Sequence, residues 1–205
     1  MKKKRVGIIN LNINNIHSIY AACKVAGYKI QVIDDRKNNY NQDIIILPGI
    51  GSYKAAMKKI KEMKFNEKIK DFLEKKNKLL VGICLGMQLF FTKSKEFGDT
   101  KGLNLIEGSV EKIDKKLIVP HTGWSQIKLK KDNTIFTKRF DKKFYYFTHS
   151  FFCKPLKVDQ IYGQTEYSKL KFCSVIGKKN IIGMQFHPEK SGKIGLELIK
   201  NFKRY

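Results

Sequence analysis

The sequence predicts an α/β fold: a mostly parallel sheet flanked by helices, with antiparallel strand extensions in the second half. Short, wholly apolar runs alternate with helical stretches through the first half, as strands covered on both faces require. Past Gly108 the pattern changes to closely spaced strand-like runs. No repeat, low-complexity block or Pro/Ser-rich linker interrupts the 205 residues, which fits one domain over 1–205.

Taken in order, Arg5–Ile9 and Ile30–Ile33 read as strands, and the helix between them, Ile16–Val25, stops at Gly27. Asp43–Leu47 is an unbroken apolar run of strand length behind its aspartate, expected of a strand buried on both faces. Tyr53–Lys61 and Asn66–Lys76 read as amphipathic helices and Leu79–Ile83 as another buried strand. Leu85–Phe91 then starts a helix with no room for a loop before it. Strand-like runs follow at Ser125–Leu129, Phe144–Phe152, Tyr162–Glu166, Phe172–Ile176 and Ile181–Phe186, and the helix Ile194–Phe202 closes the chain.

Composition narrows the function classes. The net charge of +24 raises the question of nucleic acid, but 38 of the 42 basic residues are Lys and only four are Arg. Phosphate and guanine recognition favours the bidentate Arg fork, and the Lys are spread over solvated faces rather than clustered. No nucleic-acid role is expected; a basic surface also suits electrostatic capture of an acidic partner. Cys23, Cys84, Cys153 and Cys173 form no CxxC pair, so they read as reduced thiols and not as metal ligands. The basic start Met1-Lys2-Lys3-Lys4-Arg5 is followed only by Val6–Ile9, too short an apolar run for a signal peptide or a membrane span. A cytoplasmic protein without membrane association is expected. No phosphate-binding glycine loop or dinucleotide fingerprint is present, so no cofactor is expected either.

One segment carries chemistry. Gly82-Ile83-Cys84-Leu85-Gly86 has the form G-x-C-x-G, the thiol version of a nucleophile elbow. Small residues two positions either side let a strand turn sharply into a helix. The sulfur then sits at a helix N-terminus, where the macrodipole favours negative charge, and the Leu85 N–H faces a developing oxyanion. A lone cysteine is also commonly plain core packing, so the elbow needs partners. Of the four histidines, His187 lies just past an apolar strand, at the sheet edge where ligand sites form in open α/β sheets. Pro188 ends the strand ladder, and Glu189 is placed to fold back onto the imidazole and hold its tautomer. Cys84, His187 and Glu189 make a candidate triad.

These segments resemble the triad-type (class I) glutamine amidotransferases, through Gly82–Gln88 and Phe186–Ser191. Leu47–Ser52, Pro120–Trp124 and Tyr145–Phe151 are similar to the glutaminase subunits of imidazole glycerol phosphate synthase within that family, in the same order over nearly the whole chain. The resemblance implies a flavodoxin-like α/β fold and hydrolysis of glutamine to glutamate and ammonia, with Cys84 as nucleophile, His187 as acid and base, and Glu189 as its orienter. It implies an oxyanion hole from Leu85 and the Gly49-Ile50-Gly51 turn, opened by a peptide flip, and a glutamine pocket from Gln88, Ser150 and Phe151. The implied partner is a (β/α)8-barrel cyclase subunit in a heterodimer, fed ammonia through a channel, with Asn15, His121, Thr122, Trp124, Tyr146 and Lys190 on the shared face. A core position for Trp124, the only tryptophan, is the alternative reading of that residue.

Two departures fall on the partner side. His121-Thr122-Gly123-Trp124-Ser125 stands where the subfamily has His-Met-Gly-Trp-Asn, and Asn12-Ile13-Asn14-Asn15 replaces a glycine-bearing loop; Asn tolerates left-handed backbone. Such drift also fits a paralogue that supplies ammonia for amination of a nucleotide-activated surface-polysaccharide sugar. A binding subunit with a vestigial triad, a γ-glutamyl hydrolase and a cysteine peptidase are further alternatives. The intact elbow, triad and oxyanion turn argue against the first, and Gln88 with the Pro120–Trp124 segment against the other two.

Overall fold

The computed structural model describes residues 3–13, 16–34 and 40–205. The elements up to the elbow are β1 (Arg5–Ile9), α1 (His17–Val25), β2 (Lys29–Ile33), β3 (Ile44–Leu47), α2 (Tyr53–Glu62), α3 (Phe65–Glu74), β4 (Leu79–Ile83) and α4 (Leu85–Gln88). Beyond it come β5 (Phe91–Ser94), β6 (Thr100–Lys101), β7 (Ile106–Lys112), β8 (His121–Leu129), β9 (Phe144–His149), β10 (Phe151–Pro155), β11 (Ile161–Tyr167), β12 (Leu170–Lys178), β13 (Ile181–Met184) and α5 (Gly192–Asn201).

A 13-stranded mixed sheet runs through them. Its parallel part has the order β2-β1-β3-β4-β13, and the register Met184↔Ile83 brings the carboxyl ends of β13 and β4 side by side. From β12 onward most pairings are antiparallel, and a branch leads from β12 through β11 and β8 to β9.

The apolar runs behave as their composition requires. Along β3, Ile44 and Ile46 join one core with Ile19 and Cys23 of α1 and Leu198 and Ile199 of α5. Ile45 and Leu47 join the opposite core with Ala56 and Ile60 of α2 and Ile69 and Phe72 of α3. Successive strand residues point to opposite faces, so a strand between two helical layers is apolar throughout. Burying each such side chain is worth about 1.5–3 kcal/mol. Helix α1 ends at Ala26, and Gly27 follows with φ 82, the left-handed stop expected of it. Asn12 also takes a left-handed φ of 55, so asparagine does replace glycine in that loop. Among the described residues no helix is long and apolar enough to cross a membrane.

Three expectations needed correction. The helix expected over Leu85–Phe91 ends at Gln88, because the Phe90 carbonyl accepts from Leu105 and Ile106 instead of continuing the helix, and Phe91 pairs with Ile106. The run Phe144–Phe152 is two strands: the chain changes partner at Ser150, β9 lying on β8 and β10 on β7. Strands β5, β6 and β7 carry Lys, Thr, Ser and Glu and show no apolar run, so composition concealed them; β8 also starts at His121, before its apolar part.

Candidate active site

The elbow is formed as its glycines dictate. Cys84 has φ 50 and ψ −108, a strained conformation for a residue with a side chain, stapled by its N–H to the Met184 carbonyl at 2.8 Å. A Cβ on Gly82 would stand 2.6 Å from the Phe90 ring and 2.7 Å from the Met87 nitrogen, and one on Gly86 would collide with the Leu47 carbonyl. Gly49 presses on the same turn: a Cβ there would meet Gly86 N at 2.6 Å. The Gly49–Gly51 turn thereby lies directly against the start of α4, and Gly51 holds φ 127, which a side chain would strain.

His187 leaves the end of β13 beside this elbow. Its N–H donates to the Tyr146 carbonyl at 2.8 Å, and Ser191 Oγ donates to its carbonyl at 2.6 Å while accepting from Tyr146 N at 3.0 Å. His187 Nδ1 meets Glu189 Oε1 at 2.8 Å, with the histidine 1% exposed. The carboxylate can only accept, so Nδ1 carries the proton, and Nε2 is buried with no hydrogen-bond partner among the described residues. Burial opposes a charge on this ring, but the neighbouring Cys84 sulfur and then the Glu189 carboxylate outweigh it and push the imidazole up to about 10.

A cavity of about 250 Å³ opens over the sulfur and takes in Ile50, Leu85, Gln88, Ser150, Phe151 and His187. Cys84, His187, the Gly49–Gly51 turn and the pocket residues predicted from sequence thus meet at one space, while Glu189 stands outside it against His187 Nδ1. Gln88 Nε2 donates to the Phe151 carbonyl at 3.0 Å. The same carbonyl lies 2.8 Å from His149 Nδ1, which must therefore be the protonated nitrogen. His149 Nε2 is then bare and accepts from His121 Nδ1 at 3.1 Å, leaving His121 Nε2 to accept from Ser125 Oγ at 2.9 Å. Burial holds both rings neutral, lowering His149 to about 3, with the Phe151 carbonyl pulling slightly the other way, and His121 to about 4.

Two residues in contact with this site were not anticipated. Glu96 brings a carboxylate to the wall, its Oε2 accepting from Tyr53 N at 2.7 Å; in its Lys-rich surroundings nothing in the sequence marks it. Gln185 sits one strand position before Phe186 and bonds both Gln88 and Cys84. Its side chain was legible only as part of an apolar run.

The residues expected at a partner face divide. Trp124 is 54% exposed, which rules out the core alternative. Its ring stands edge-on to Tyr146 at 6.2 Å, and Lys190 Nζ lies 5.9 Å from the centre of the Tyr146 ring. Thr122 is exposed beside them, its Oγ1 3.3 Å from Thr148 Oγ1. His121 is the correction: at 2% exposure it faces inward, stacked on Tyr167 with ring centres 4.0 Å apart, because it serves the histidine chain behind the pocket. Asn15 lies outside the described residues. Cys23, Cys153 and Cys173 are buried, and burial raises all three thiols, so none is a second nucleophile.

Comparison with known proteins agrees with this geometry. The class-I glutamine amidotransferase family matches residues 8–204. The protein named imidazole glycerol phosphate synthase subunit HisH of Caldanaerobacter subterraneus subsp. tengcongensis is 39% identical over 197 residues, covering 96% of each chain. Those of the same name from Chlorobaculum tepidum and Bacillus mycoides are 34% and 38% identical, covering 98% and 97% of this chain and 100% and 93% of their own. Among solved structures, one described as a glutamine amidotransferase superposes with a TM-score of 0.75 at 14% identity, over 97% of this chain and 98% of its own. PurLQS from Thermotoga maritima gives 0.75 at 18%, over 98% and 96%. At those identities the likeness establishes the fold.

Proposed function

Since the chain belongs to the class-I glutamine amidotransferase family, we propose that it is the glutaminase subunit of an imidazole glycerol phosphate synthase, releasing ammonia for a cyclase subunit in histidine biosynthesis. The observation that carries the chemistry is the buried His187–Glu189 pair at 2.8 Å, with His187 opening beside the strained Cys84 into one cavity. Cys84 passes its thiol proton to His187 Nε2 and its sulfur attacks the glutamine carboxamide carbon. Negative charge collects on the oxygen and is met by the Leu85 N–H and by the Gly49–Gly51 turn. Gly51 at φ 127 and the half-exposed Ile50 suit a peptide that rotates its N–H into the cavity when needed. His187 gives its proton to the departing ammonia, leaving a glutamyl thioester. It then takes a proton from water, whose oxygen attacks the thioester to release glutamate and restore Cys84. Gln88 and the Ser150–Phe151 backbone hold the substrate, and the Glu96 carboxylate suits its α-ammonium group.

The exposed Trp124, Lys190 and Thr122, with the half-buried Tyr146, form the face for a (β/α)8-barrel cyclase, which receives ammonia through an internal channel in a cytoplasmic heterodimer. An exposed aromatic cluster of this kind is a usual interface anchor. The relatives named above all carry the histidine-pathway name, so the sugar-amination paralogue is not favoured despite Thr122 and Ser125. The deciding experiment measures ammonia release from glutamine by the protein alone and with the organism's ligand-loaded histidine-pathway cyclase. Strong stimulation that disappears in Cys84→Ala is expected; a rate indifferent to that cyclase would overturn the pathway assignment.

A further inference from the structure

We propose that Gln185 is a further catalytic residue of this site, holding the nucleophile and the substrate pocket in register; the proposal rests on the glutaminase reading above. Gln185 is 0% exposed. A primary amide in an apolar interior costs free energy unless its donors and acceptor are used, and here they are used in one direction only. The Phe151 carbonyl can accept but not donate, so the end of Gln88 that meets it is Nε2. That nitrogen also reaches Gln185 at 3.2 Å, which makes the facing atom of Gln185 its Oε1. The other end, Nε2, is thereby turned to Cys84 Sγ at 3.5 Å. The direction is imposed by a backbone carbonyl, which no side-chain flip can reverse.

Two consequences follow for the reaction. The amide N–H lies on the sulfur opposite the demands of the thiol form, whose own contact is to the Thr148 carbonyl at 3.8 Å. As charge develops on sulfur the Gln185 bond becomes charge-assisted and stronger, while the Thr148 contact is lost. Gln185 therefore aims the reacting atom when it is needed as a nucleophile. Its Oε1 meanwhile locks the Gln88 amide, leaving Gln88 Oε1 as the end available to a substrate. One side chain so links sulfur reactivity with glutamine binding, and its loss is expected to lower kcat and raise KM together.

The test uses the full chain with Gln185→Leu and Gln185→Glu. Cys84 alkylation by iodoacetamide at pH 7, located by peptide mass spectrometry, reports the sulfur without any substrate. Steady-state ammonia release reports kcat and KM. A hydrogen bond to a charged group supports a loss of roughly 10- to 100-fold: alkylation and kcat fall by that order in Gln185→Leu, and KM rises several-fold. Gln185→Leu leaves Gln88 Nε2 its bond to the Phe151 carbonyl, so the stability cost of the lost partner need not unfold the protein. If it does, the near-isosteric Gln185→Glu serves, since its carboxylate repels a charged sulfur and slows alkylation at least as much. Alkylation and kcat within twofold of the parent in a folded variant overturn the proposal. Slowed alkylation in the variant, where the parent itself releases no ammonia, leaves the sulfur contact standing but removes its catalytic meaning, along with the glutaminase reading.

Discussion

The two halves of the sheet contribute to the site in different ways. The parallel half brings the proposed reacting groups: Cys84 from the end of β4 and His187 and Glu189 from beyond β13, side by side because those strands pair in parallel register. The antiparallel half brings recognition: the pocket wall at Thr148–Phe151 and, on the neighbouring hairpin, the outward face of Trp124 and Tyr146. Strands covered by helices on both faces are rigid and nearly interchangeable in composition, so they hold a reaction geometry. A hairpin with one face in solvent can vary outward while its inner face stays packed. His121 and Trp124 illustrate this on β8, at 2% and 54% exposure within four residues. The departures from the subfamily, Thr122 and Ser125, also lie on that strand.

This division predicts that substitutions in the two halves separate chemistry from assembly. The largest effect is expected from Glu189→Gln, which leaves His187 without the carboxylate that helps keep it protonated. Glutaminase kcat should fall by a factor of about 100 or more, as for removal of other triad orienters. The sign of the pH effect follows from the raised imidazole. His187 holds its proton up to about 10, so the parent's activity should persist to high pH and decline only near there. Losing Glu189 should lower that limb, since its carboxylate is one of the groups that raise the imidazole. Cyclase binding, measured by calorimetry, should be unchanged.

Trp124→Ala should do the reverse. Truncating an exposed aromatic anchor costs about 2 kcal/mol of binding, roughly 30-fold in Kd, with unstimulated ammonia release within about twofold of the parent. A comparable fall in unstimulated activity would show that the hairpin enters the chemistry directly.

The smallest effect is on stability. His121 and His149 are held neutral in the fold, at about 4 and about 3, while an unfolded histidine titrates near 6.5. A depressed folded value means that the stability is fully present above 6.5 and is lost as pH falls toward 4. Thermal melts should therefore drop over that window, and His149→Gln should flatten the drop. An equally steep acid loss in that variant would place its origin among the carboxylates instead.

Legibility followed the same division. The buried parallel strands were readable because a short run apolar on every residue suits a strand covered on both faces and little else. The elbow was readable because its glycines answer to collisions with Phe90, Met87 and the Leu47 carbonyl. Strands β5, β6 and β7, at the β6 end of the sheet, were not, since their many polar residues look like loop. Glu96 and Gln185 were missed for a related reason: a single polar residue signals nothing until its neighbours from distant segments are known.

The sequence by itself determined the α/β architecture, the strained nucleophile turn and the His187–Glu189 couple, because each rests on residues adjacent in the chain whose local sterics or reach decide the outcome. Only the tertiary structure decided which way the amides and imidazoles around the sulfur point, that His121 faces inward and Trp124 outward, and that Gln185 touches Cys84. Those choices depend on a carbonyl at Phe151, a hydroxyl at Ser125 and a ring at Tyr167, brought together from separate strands. A hydrogen bond's direction is settled by the partner that cannot donate, and that partner is known only after folding.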